Sequence, residues 1–233
     1  MREAIQVELK RVFEDFKTVQ HVPKSQVEED VRRFGAVKVH LKDALIPVKV
    51  KYNTEGELTK IKARFVVTDR VVDGKMPDVY APAISGDTVR YTCNLQLQIR
   101  GVAAVKDVQG AYHHGKPRDP GHPNGRSLYA RVAPGLKEFG YPRWVDGVEY
   151  VVKIVGNVPG RQDAGVVWGD AYTTFLKECG FTQSVVDRRL RSNSVASACC
   201  LTSGGSWRRS LKTGSSTPGR ASTHPWWRER SSG

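Results

Sequence analysis

The stretch "PVKVKYNTEGELTKIKARFVVTD", residues 47–69, constrains the fold more tightly than any other part of the chain. Val48, Val50 and Tyr52 alternate with Lys49 and Lys51. After "NTEGE", Ile61, Ala63 and Phe65 alternate with Lys60, Lys62 and Arg64. Period-two alternation on both sides of a cluster of turn-forming residues predicts a β-hairpin. The product is a two-stranded ribbon with one apolar face and one strongly basic face. The basic face is either a solvated surface or a surface for a polyanion.

The flanking segments read less evenly. Ile5, Leu9, Val12, Phe13 and Phe16 recur at helical spacing and predict an amphipathic helix over residues 3–20. Residues 21–45 show no readable period. "DGKMPDVYAPAISG" is a loop by its Gly, Pro and Asp content, and "DTVRYTCNLQLQIRG" is a helix that Asp87 caps and that ends near Gly101. "VAAVKDV" is a short apolar run suited to a buried strand, "HHGKPRDPGHPNGRS" an exposed loop, and "LYARVAPG" and "VEYVVKIVG" two further strands. "RQDAGVVWGDAYTTFLKECG" predicts a helix closed by Gly180.

With 37 Lys and Arg against 24 Asp and Glu, the 233 residues carry a formal charge of +13, which favours a polyanionic partner, nucleic acid being the commonest. The four cysteines form no CxxC pair and no metal-ligand spacing, which argues against zinc and for reduced thiols. No apolar run approaches a membrane span, and the amphipathic N-terminus lacks the apolar core of a secretory signal, so the expectation is an intracellular protein with no membrane partner. Beyond about Leu190 the composition turns to Ser, Gly, Arg, Thr and Pro. Residues 191–233 hold seven basic side chains and one acid, Glu229. Such a segment is expected to be disordered. It is either a basic nucleic-acid-binding tail or an extension read out of frame, and the abrupt junction favours the second.

Asp107 ends the apolar run of "VAAVKDV". A carboxylate at a strand end beside a loop is a suitable ligand for hard Mg²⁺, but phosphoryl and nucleotidyl transfer need several acids around two metals. Six landmarks then fall in one order: "TKIKARFVV", "VYAPAISGDTVR", "VKDVQGAYHHGK", "SLYARVAPG", "VVKIVGNVPGRQDAGVVW" and "FLKECGFTQSVVD". Together, across about residues 45–190, they resemble the reverse transcriptase of copia-type retrotransposons. The corresponding family patterns are Lys-Ala-Arg-Leu-Val, Phe-Ala-Pro-Val with a later Thr-Ile/Val-Arg, Leu-Asp-Val-x-x-Ala-Phe-Leu-x-Gly, Ile-Tyr-Met-x-x-Pro-x-Gly, Lys-Leu-x-x-Ser-Leu-Tyr-Gly-Leu-Lys-Gln and Leu-x-x-x-Gly-Phe-x-x-Ser-x-x-Asp.

The resemblance implies an α+β fold, a partial polymerase right hand of fingers and incomplete palm, with Asp107 on an antiparallel palm sheet. It implies three regions: an N-terminal helix and lead-in over 1–44, the fingers and palm over 45–190, and the tail over 191–233. Asp107 would be the first catalytic carboxylate and a Mg²⁺ ligand, with the backbone of Val108 as a second oxygen donor. Tyr112 would be the ring that crowds a sugar 2′ position and selects dNTP over rNTP. Lys62 and Arg64 would contact the incoming triphosphate, and Gln162 would lie near the nucleotide pocket. The implied partners are an RNA or DNA template-primer and dNTP, and the implied compartment a cytoplasmic particle or the nucleus.

The chain departs from that family at a decisive place. The family carries two adjacent Asp residues in a Tyr-Val-Asp-Asp hairpin shortly after the Gly-Phe…Asp landmark. Here no Asp follows Asp187 and no Asp-Asp pair occurs. The family's thumb and ribonuclease H regions are likewise not among these residues, and "VGNVPGRQDAG" has lost the Leu-Tyr-Gly-Leu-Lys-Gln detail. The expectation is a catalytically incomplete fragment whose surviving activity is binding, unless a partner chain restores the acids. The competing reading is a non-enzymatic nucleic-acid-binding module that uses the ribbon and the tail. A hydrolase built on His113 and His114 is disfavoured because neighbouring strand residues point to opposite faces, and their place in a loop suggests simple solvent exposure.

Overall fold

A computed structural model describes residues 1–69, 85–98, 108–185, 190–193, 198–201 and 207–208. The chain divides into two compact units, residues 1–80 with 112–171 and residues 81–111 with 172–233. No helix among the described residues is long and apolar enough to cross a membrane.

The first unit opens with helix α1 (Arg2–Lys10), which widens into a π turn over Arg11–Asp15. The helix expected over 3–20 stops there. The Phe16 N–H bonds the Arg11 carbonyl at 2.9 Å, and the Thr18 N–H reaches back to Val12 at 2.9 Å. Lys17 then takes a φ of +50°, and the β-branched Val19 starts strand β1 (Val19–Pro23). Helix α2 (Ser25–Phe34) and strands β2 (Val39–Leu45), β3 (Val48–Tyr52), β4 (Leu58–Ala63) and β5 (Val66–Val67) follow. After the excursion through residues 70–126 come β6 (Ser127–Arg131), β7 (Trp144–Val145) and β8 (Val148–Ile154).

The main sheet has the order β1-β8-β6-β2-β5, with β7 beside β8. The expected sheet is antiparallel, but the observed one is mixed, because β2 and β6 run parallel from Val39 beside Ser127 to Asp43 beside Arg131. The long connection between them brings the chain back to the starting end of β2, which a tight hairpin cannot do. On one face of the sheet, Leu128, Ala130, Val152 and Ile154 pack with Leu9 and Val12 of the first helix, with Phe65 and with Val67. On the other, Asp30 of α2 accepts hydrogen bonds from Ser127 (2.9 Å), Tyr129 (2.6 Å) and Lys153 (3.1 Å). Burial raises the Asp30 pKa, but the three donors outweigh it and hold the carboxyl below its usual range. Helix α2 also carries Val27, Val31 and Phe34 at helical spacing, all half-buried, so part of the segment 21–45 has a helical period after all.

The ribbon forms as expected. Lys49 faces Lys62, Val50 faces Ile61 and Lys51 faces Lys60, with an irregularity beyond Lys51. Asn53 closes the turn by accepting the Glu57 N–H on Oδ1 at 2.7 Å. Its apolar face is covered only near the base. Ala63 is buried, Val50 and Ile61 are half-buried, and the tip pair Tyr52 and Leu58 is exposed.

In the second unit, helix α3 (Gly86–Gln98) is capped by Ser85, not Asp87. The Ser85 Oγ accepts the Thr88 N–H at 3.0 Å, while Asp87 sits inside the first turn and pairs with Arg90 at 3.0 Å. Helix α4 (Ala164–Glu178) ends as the sequence predicts. Gly180 takes a φ of +79°, its N–H reaches Lys177 and that of Phe181 reaches Leu176, with Phe181 and Leu176 both buried. Strands β9 (Thr182–Gln183), β10 (Leu190–Asn193), β11 (Ala198–Leu201) and β12 (Trp207–Arg208) form an antiparallel sheet in that order. The boundary expected at 190/191 therefore cuts through a strand. The described part of the segment expected to be disordered is paired instead, because strand pairing uses main-chain groups that every residue carries and composition does not display. Residues 209–233 and the strand expected at 102–107 lie outside the described residues.

Candidate nucleic-acid interface

The site is built from the cations at the base of the ribbon upward. Because directly opposed residues share a face, Lys49, Lys51, Lys60 and Lys62 line one side of β3 and β4. The Arg64 N–H bonds the Pro47 carbonyl at 3.1 Å, which continues the same register one pair beyond Ala63 and adds Arg64 to that side. Lys49, Lys51, Lys60 and Arg64 are exposed, and Lys62 is half-buried. Burial, together with Arg64, Lys51, Lys60 and Arg11, lowers the Lys62 pKa. Four like charges facing each other in two pairs destabilise the bare ribbon and are relieved by a bound polyanion.

The π turn places Arg11 at the foot of this ladder. Its guanidinium lies over the Phe16 ring at 5.4 Å and meets Glu8 only at 3.8 Å. Glu8 is itself committed, since its Oε1 accepts the Phe65 N–H at 3.0 Å and so fastens α1 to the end of β4. Phe16 also stacks on His113, with centroids 4.8 Å apart, and meets His114 edge-on at 5.3 Å.

His113 and His114 belong to a 3₁₀ turn, Ala111–His114, that also carries Tyr112. The expected solvent exposure of the two histidines does not hold, since both are half-buried. Thr18 Oγ1 lies 3.4 Å from His113 Nδ1, and burial, then Arg11 and His114, push the His113 pKa down to about 4. Arg64 acts in the same direction, so this turn and the foot of the ribbon share one electrostatic environment. Tyr112, in the same turn, is 41% exposed. Gly115 closes the turn where no side chain fits: a Cβ there would lie 2.7 Å from Val167 Cγ1 and 3.1 Å from Asn157 Nδ2.

Gln162 is positioned through its backbone. Its N–H donates to Asp69 Oδ2 at 3.3 Å, and Asp69 is gripped by both terminal nitrogens of Arg126, at 3.1 and 2.5 Å. Arg161 makes a second fork to Asp163, at 2.9 Å on each arm. Burial raises the Asp163 pKa, but Arg161 and Arg126 outweigh it and lower it overall. This buried chain of alternating charges was not visible in the sequence, where Asp69 and Arg126 are 57 residues apart.

Among the sequence-predicted residues, the structure thus brings Lys62, Arg64 and the turn bearing Tyr112 together, and ties Gln162 to the same unit by its backbone. Val108 is buried and belongs to the second unit. Asp107 lies outside the described residues. Among the described residues no group of three or more His, Cys, Asp or Glu is arranged to hold a metal, and Asp69 and Asp163 are already occupied by arginines. Comparison with protein-family models, with curated proteins and with solved structures gives no match to this chain.

Proposed function

We propose that this chain is a fragment of a copia-type reverse transcriptase, comprising fingers and an incomplete palm, that binds an RNA or DNA template-primer without extending it. The observation that carries the binding is the cross-strand lysine ladder, Lys49 with Lys62 and Lys51 with Lys60, continued by Arg64. Phosphates that settle on it replace condensed counterions, which gives affinity without base preference. The order of the six sequence landmarks supports the polymerase origin. The lack of any Asp beyond Asp187 supports the loss of chemistry, because one carboxylate does not assemble a two-metal clamp. On this reading the compartment is a cytoplasmic particle or the nucleus.

Primer extension with Mg²⁺ or Mn²⁺ tests the reading. The expected result is oligonucleotide binding with no extension. Extension that disappears in Asp107→Ala would sink it. The ladder equally favours a non-enzymatic nucleic-acid-binding module, and dNTP binding separates the two. A polymerase remnant loses dNTP affinity in Tyr112→Ala and Asp107→Ala, whereas a plain basic binder responds only to the ribbon and the tail.

A further inference from the structure

Arg11 belongs to the lead-in helix, outside the segment that resembles a polymerase, and the fold brings it to the foot of the ribbon. Its Nε is buried and has no hydrogen-bond partner. Its one ion-pair contact among the described residues, Glu8, is at 3.8 Å and is already hydrogen-bonded to the Phe65 N–H. The guanidinium rests on the Phe16 ring, and it lies close enough to Lys62 and His113 to disfavour a proton on either. The chain leaves its α-helical path at this residue, and π turns recur at functional sites. A stacked guanidinium with spare donors, set among other cations, matches phosphate oxygens in geometry as well as charge.

We propose that Arg11, Lys62 and Arg64 form a phosphate-binding clamp at the foot of the ribbon, with Arg11 supplying the forked donor. This rests on the reading of the ribbon as a phosphate-binding surface and adds a residue to it. The phosphate is that of a free triphosphate or of a nucleic-acid backbone.

The test measures binding of inorganic tripolyphosphate and of a single-stranded oligonucleotide by calorimetry, for the full chain and for Arg11→Gln. Losing charge-assisted hydrogen bonds should weaken binding by about tenfold or more. A loss with tripolyphosphate alone identifies a free triphosphate as the ligand, and a loss with both identifies backbone phosphate as well. Affinities within about twofold of the parent for both ligands overturn the clamp. If Arg11→Gln does not fold, Arg11→Lys is read by the same comparison, since it keeps the charge and removes the fork. If the parent chain binds the oligonucleotide but not tripolyphosphate, and Arg11→Gln leaves that binding unchanged, the clamp fails while the ribbon reading stands. If the parent chain binds neither, both fail.

Discussion

Burial, Arg11 and His114 push His113 down to about 4, against 6.5 for an unperturbed imidazole. The sign of the consequence is fixed by linkage. Below pH 6.5 the unfolded chain takes up a proton at this position, while the folded chain stays neutral until about pH 4. The unfolded state therefore binds more protons across that window, so the stability is fully present above 6.5 and is lost as the pH falls towards 4. Asp30, whose carboxyl is held below its usual range, stabilises the fold throughout that window and loses its contribution only as the pH falls further. Denaturant titrations at a series of pH values should show a midpoint that falls between pH 6.5 and 4, and a flatter profile for His113→Gln. Equal slopes for the two proteins would contradict this placement of the ring. The sequence motif "AYHHGK" marked this turn as special but said nothing of its burial. The stacking partner Phe16 comes from a helix end far earlier in the chain, and Gly115 is needed for a close approach to Val167, on a helix well beyond it.

Elements with a long or well-buried apolar face are legible in the sequence, and polar contacts between distant residues are not. The ribbon, β6, β8 and the Gly180 helix stop all follow from alternation or from a glycine in the expected place. Helix α2 has an apolar stripe, Val27, Val31 and Phe34, but it is short and only half-buried, and the end of α1 is hidden because a π turn shifts the apolar phase without altering composition. The Asp69–Arg126 pair, fixed by the tertiary fold, leaves no local signal. The ribbon itself yields a prediction with two opposite signs. Lys60 lies directly across from Lys51, so Lys60→Glu turns a repulsive pair into an attractive one. Thermal or denaturant unfolding should show a gain of about 0.2–1 kcal/mol. The same substitution removes a phosphate contact, so the slope of log affinity against log salt for an oligonucleotide should fall by about one or more. Increased stability with an unchanged slope would mean that the ladder is only a solvated face.

At the scale of the whole molecule, the question is where the folded chain stops. Composition places the break after Leu190, and an out-of-frame extension beyond it would be a passenger. The sheet argues otherwise for its first part. Strand β10 pairs Arg191 with Gln183 and Ser192 with Thr182, and its other edge pairs with β11 over four positions. Arg191 is 3% exposed, and its Nη2 donates to Thr173 Oγ1 of α4 at 2.6 Å. A cation this deep is rarely placed without a partner, and here Thr173 supplies one. Ending the chain at residue 189 would strip β9 of its partner strand and leave Thr173 without that donor. The second unit should then unfold at a lower temperature than in the full chain, and protease should cut within residues 172–189 sooner. Ending it at residue 208 keeps all four strands and should leave the melting temperature close to that of the full chain. Calorimetry on the three proteins separates the cases. If the chain ending at 189 melts with the full one, strands β10 to β12 add nothing to the fold. If only that chain melts early, the residues from 190 to 208 belong to the fold and are no passenger, whatever their composition suggests.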